Sequence, residues 1–226
     1  MKGITKIRGS WNLWDFLSTL CFALCIYGWT WDKSKPVQEI LGGVPYYEED
    51  GILLLPLGKW LFLFGFFFFI LCRRMFVDSR LVIFEKYRYG SFRGWWSVHF
   101  WTLHLKNSLT FLTAYLLWGL MGKLDMQAGT ALVFYLHLSA MASILIVADY
   151  FHLSGAAPCI LIVAEGVCYV LSVRHHLSWL ACGMYTRSIF ERADGFPVWI
   201  LAAEVVLTVL CWVIVPIVHD KGFSGG

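Results

Sequence analysis

The residues with most chemistry to offer stand in stretches that are otherwise hydrocarbon. Glu165 lies in Leu-Ile-Val-Ala-Glu-Gly-Val-Cys (161–168), Glu204 in Ile-Leu-Ala-Ala-Glu-Val-Val-Leu (200–207), and His137 in Ala-Leu-Val-Phe-Tyr-Leu-His-Leu (131–138). A carboxyl in hydrocarbon is costly, so it faces a bundle interior, a water-filled path or a partner group. Gly166 follows Glu165, and Ala202 and Ala203 precede Glu204. Small residues let helices approach closely, which places these acids at helix interfaces. Two roles fit: a polar patch on a translocation route for a cationic substrate, or a structural hydrogen bond or neutral carboxyl between helices. His137 is the one histidine central in its stretch. Two mid-membrane histidines on facing helices can ligate haem, but no second histidine stands at its depth. The expected role of His137 is a polar residue packed between helices.

Other chemistries lack their residues. There is no Gly-x-x-x-x-Gly-Lys-Ser/Thr phosphate cradle. There is no His-Glu-x-x-His and no Gly-x-Ser-x-Gly. The seven cysteines are an odd number, contain no Cys-x-x-Cys, and fall in or at the ends of apolar runs except Cys182. They do not read as a disulfide framework or a metal site. Cys21 and Cys25 share a helix face as small packing residues. No catalytic residue, metal ligand or cofactor of the chain's own is expected.

The elements that must position these residues are membrane helices. Of 226 residues, 59% are hydrophobic and 15% charged, which excludes a soluble domain. Apolar runs long enough to cross about 30 Å of hydrocarbon recur. They are continuous, so they read as helices and not as barrel strands. The fold class is all-α, integral to the membrane. Six spans are expected, at about 13–31, 52–72, 103–123, 128–148, 156–173 and 196–218, in a single transmembrane domain over 1–226. The net charge of +3 gives no reason to invoke nucleic acid. The basic lead-in Met-Lys-Gly-Ile-Thr-Lys-Ile-Arg has no small-residue cleavage site after the first apolar run, so that run is read as retained. With both termini cytoplasmic, 11 basic residues fall inside and 6 outside, the sense of the positive-inside bias. Residues 174–195, amphipathic and of mixed charge, are expected to dip into the outer leaflet as short helices.

The longest polar interruption is Arg73 to Lys106. It carries seven basic residues against Asp78 and Glu85, interleaved with Tyr87, Tyr89, Phe92, Trp95, Trp96, Phe100 and Trp101. A short amphipathic helix, turned at Gly90, Ser91 and Gly94, would suit insertion into a cleft of a soluble partner. Binding of anionic membrane lipid is the plainer alternative.

The run Arg88-Tyr89-Gly90-Ser91-Phe92-Arg93-Gly94-Trp95-Trp96, with the preceding Leu55-Pro56-Leu57-Gly58-Lys59-Trp60 and the six-span layout, resembles small permease subunits of type-two ABC exporters of the bacteriocin and lantibiotic export or immunity kind. The resemblance covers the topology of the chain and sequence detail over about 45 residues. It implies a bacterial plasma-membrane permease. An ATP-binding-cassette partner would hold ATP and Mg, and a second permease copy or related permease would complete the pathway. It also implies a cytoplasmic coupling segment at Arg88, Ser91, Arg93, Trp95 and Trp96. The substrate would be a peptide or a lipid-like molecule, with Glu165, Glu204 and His137 on the pathway. The alternatives from other classes are an integral-membrane enzyme or haem-carrying redox subunit, and a scaffold without transport.

Overall fold

The structure is a computed structural model that describes residues 13–29, 41–45, 51–86, 91–121, 128–151, 153, 155–181, 183–184 and 198–223. Among these residues the chain is helical and has no strand. The helices are α1 (Leu13–Trp29), α2 (Leu54–Lys86), α3 (Phe92–Leu120), α4 (Ala128–Tyr150), α5 (Ala157–His175) and α6 (Val198–Phe223), with one turn of 3-10 helix at Ser178–Ala181. Each helix overlies one of the expected spans. Four contain a stretch long and apolar enough to cross a membrane: Leu54–Met75, Gly129–Tyr150, Ala157–His175 and Leu201–His219. The other two fall short for different reasons. α1 has only 17 residues. α3 is interrupted by Arg93, His99, His104, Lys106 and Asn107.

α4 is the centre of the bundle. It packs most extensively on α6 and also touches α2, α3 and α5. An interior of aromatic rings holds these helices in register. Trp60, Phe64 and Phe67 of α2 meet Phe134 of α4, and Phe111 of α3 stacks on Phe134 with centroids 5.6 Å apart. Phe22 of α1 stacks on Phe66 at 3.6 Å. Lipid removes the hydrophobic drive between helices, so close packing and buried hydrogen bonds must hold the bundle. α5 and α6 instead present broad apolar faces outward, at Ile160, Val163 and Val167 and at Val206, Leu210 and Ile214.

The basic stretch is built differently from the short amphipathic helix expected. α2 runs unbroken for 33 residues, about 50 Å at 1.5 Å per residue. Nothing stops it, because no glycine or proline occurs between Gly65 and Gly90. Ser91 then caps α3, its hydroxyl accepting from the Gly94 N–H at 3.2 Å. The stretch is thus the end of one long helix and the first turns of the next. Two of its cations point inward. Arg74 is buried 3.5 Å from Asp15 of α1 and donates to the Thr110 hydroxyl at 2.7 Å, and Lys106 is buried one turn before Thr110.

Candidate functional site

His137, Glu165 and Glu204 meet. His137 comes from α4, Glu165 from α5 and Glu204 from α6, and all three are buried. His137 Nδ1 lies 2.6 Å from Glu204 Oε1, and Nε2 lies 3.1 Å from Glu165 Oε1. The imidazole is therefore clamped at both nitrogens, by α5 on one side of the ring and by α6 on the other. Its partners are carboxyls and not a second histidine, in keeping with the expected polar residue packed between helices.

The ring is walled by aromatics. Phe64 meets it edge-on at 5.2 Å between centroids, and Trp60 lies at 6.2 Å. Trp60 is fully buried, and its indole N–H has no hydrogen-bond partner among the described residues. The segment after α5 closes the remaining side. A side chain added at Gly183 would overlap the His137 ring, so only glycine fits there. Met184 beside it accepts from the Val44 N–H at 2.7 Å, and Leu41, Val44 and Met184 are all buried. The described part of 174–195 includes one turn of 3-10 helix at Ser178–Ala181, with Ala181 and Met184 buried. Behind Glu165, Gly166 allows α2 to approach, with Leu61 in van der Waals contact range. Ala202 and Ala203, by contrast, are exposed and do not mark the Glu204 interface.

Hydrogen counting states what the triad can do. Each N···O contact needs one hydrogen. A neutral imidazole and one carboxylic acid supply the two, or an imidazolium supplies both between two carboxylates. Both arrangements hold two protons and a net charge of −1. A third proton, on a remaining carboxyl oxygen, makes the group neutral. The triad can therefore exchange one positive charge with its surroundings. The carboxyls lie on opposite ring nitrogens, so they form a row and do not converge with the imidazole on one point.

The residues expected at a coupling contact divide. Arg88 lies outside the described residues. Ser91 and Arg93 are exposed at the α2–α3 turn. Trp95 and Trp96 are buried, and the Trp96 indole donates to the Trp212 carbonyl at 2.8 Å, which fastens the start of α3 to α6. Phe92 stacks on His219, which is in turn 2.9 Å from the Tyr150 hydroxyl. Sequence reasoning did not find Trp60, Phe64 and Gly183 as the walls of the triad. An aromatic run and a glycine in a mixed-charge segment carry no signal of which ring they will touch.

No protein-family model, no curated protein and no solved structure matches this chain.

Proposed function

We propose that the protein is a membrane permease subunit whose pathway is organised around the His137–Glu165–Glu204 triad. The observation that carries this is the triad itself: three ionisable side chains from three helices, joined in one row and buried. Intramembrane ionisable groups are retained chiefly where ions, protons or charged substrates move. The triad would take up a cation or a proton and give it back as the helices around α4 rearrange. A scaffold has no need of it, because apolar residues of similar volume would pack the same helices at less cost. The haem-subunit alternative would need a nitrogen of His137, and both face carboxyls.

In this proposal all six helices span the plasma membrane of a bacterial cell, with both termini cytoplasmic. α1 and α3 complete the six because they lie within the bundle despite short length or polar residues. Energy comes from a separate ATP-binding-cassette subunit that holds ATP and Mg, and the cargo of this exporter is a peptide or lipid-like molecule. A second permease copy or related permease completes the pathway. The ATPase contact falls to Arg88, Ser91 and Arg93, while Trp95 and Trp96 keep the start of α3 rigid beneath it.

The test is gentle detergent purification of the full chain from its native membrane, with mass spectrometry of what accompanies it. A stoichiometric ATP-binding protein, released by Arg88→Glu with Arg93→Glu while the chain stays in the membrane, is expected. A chain that arrives alone, or with redox subunits, overturns the exporter assignment.

A further inference from the structure

The triad can exchange one positive charge, and its geometry decides which cation can supply it. A metal ion needs several donor atoms around one point. Here the two oxygens that meet His137 stand at opposite ring nitrogens. Among the described residues no three imidazole, thiol or carboxyl groups converge as ligands. The contacts are also too short to admit a metal. Bonds of about 2 Å at a tetrahedral angle would hold nitrogen and oxygen about 3.3 Å apart. The two contacts measure 2.6 Å and 3.1 Å, the spacing of a shared hydrogen. The ring faces are closed as well. A carbon added at Gly183 would overlap the ring, and Phe64 and Trp60, which carry no oxygen, wall the side toward α2.

A proton needs neither space nor a ligand set. Two protons satisfy both ring contacts, and a third sits on a carboxyl oxygen that His137 does not use. Only Oε1 of each glutamate meets the ring, so each Oε2 is such an oxygen. The third proton thus enters and leaves while both contacts to α4 persist. Few other groups act on this exchange. Among the described residues His137 is the ion-pair partner of both carboxyls, and no lysine or arginine pairs with either. On α5 the Cys168 thiol lies near enough to feel Glu165. α2 contributes the Trp60 and Phe64 rings, and His104 of α3 is turned to Ser143 instead.

We propose that the exchangeable cation of the triad is a proton and not a metal ion, so that Glu165 and Glu204 bind and release H+ around a retained His137. This names the cation for the polar centre of the pathway, and it rests on the permease reading for what the proton does in transport. Intramembrane rows of acids and histidine are a chemistry suited to proton relay.

The test is infrared difference spectroscopy of the full chain alone in lipid nanodiscs, titrated with buffer pH, with isotope labels on glutamate and histidine to assign carboxyl and imidazole bands. Glu165→Gln/Glu204→Gln leaves a ring between two amides. Native minus variant should show a reversible protonation change of about one proton per chain, the number the hydrogen count allows. Sodium, calcium or zinc ions, each added alone at fixed pH, should leave those bands unmoved. A native titration identical to that of the variant overturns the proposal, as does a saturable shift of the triad bands by any of the three metal ions. Should the double variant fail to fold, Glu204→Gln alone takes its place and should shift the titration, and an unshifted titration overturns the proposal. The chain is alone in the disc, so a missing ATP-binding partner overturns only the exporter assignment, and a triad that does not titrate overturns only this one.

Discussion

Removing Glu204 separates the structural and functional roles of the triad. Glu204→Leu takes away the carboxyl 2.6 Å from His137 Nδ1 and leaves that nitrogen buried against Trp60 and Phe64. Breaking a buried charge pair by removing one partner costs about 3–5 kcal/mol in soluble proteins. Hydrogen bonds between membrane helices average about 0.6 kcal/mol, because the unfolded chain in the membrane also finds partners. The triad should fall between these limits, since its bonds involve ionisable groups. We expect Glu204→Leu to cost about 2 kcal/mol, within the range for charge-assisted bonds. His137→Leu added to Glu204→Leu should restore none of that, because Glu165 then loses its Nε2 partner and is left buried alone. His137→Leu/Glu165→Leu/Glu204→Leu should be as stable as the native chain yet inactive in transport by reconstituted vesicles containing the partner ATPase. Stability is read from denaturant titration in mixed micelles. A coupling energy between His137 and Glu204 below about 0.5 kcal/mol would refute the clamp as a strong interaction. A triple variant that transports normally would reduce the triad to a strut.

Three further outcomes follow from the same packing. Gly183→Ala should destabilise the chain by about 1–3 kcal/mol, the usual cost of overpacking, since the ring it would strike is held at both nitrogens. Protease cleavage near residue 183 should rise in that variant, and unchanged protection would contradict the contact. Arg74→Met should loosen α1 from α2 and α3 by removing the Asp15 and Thr110 contacts, with Asp15→Asn/Arg74→Met less destabilised than Arg74→Met alone. A thermal-melt comparison of the two variants checks the order. Trp96→Phe should cost about 0.5–1.5 kcal/mol through the lost bond to the Trp212 carbonyl while leaving ATPase-partner retention intact. Loss of the partner in that variant would place Trp96 at the docking surface instead.

The sequence by itself determined the medium and the helices. Apolar runs such as 60–72 and 201–218 can satisfy their backbone only as helices in hydrocarbon, so element type and approximate boundaries were legible without any tertiary information. The sequence also marked His137, Glu165 and Glu204, because an ionisable residue in such a run stands out on cost alone. Their meeting was not legible. Depth along a helix is readable from residue count, but rotation about its axis, which turns His137 toward α5 and α6, is set by what packs on the other faces. The same holds at the other end of the bundle. Arg74 and Trp96 read as surface residues because their neighbours are basic and aromatic, yet Asp15, Thr110 and the Trp212 carbonyl draw them inside. Only the tertiary structure decided that, since a buried polar group goes where a partner of matching hydrogen-bonding capacity stands, and here those partners come from distant parts of the chain.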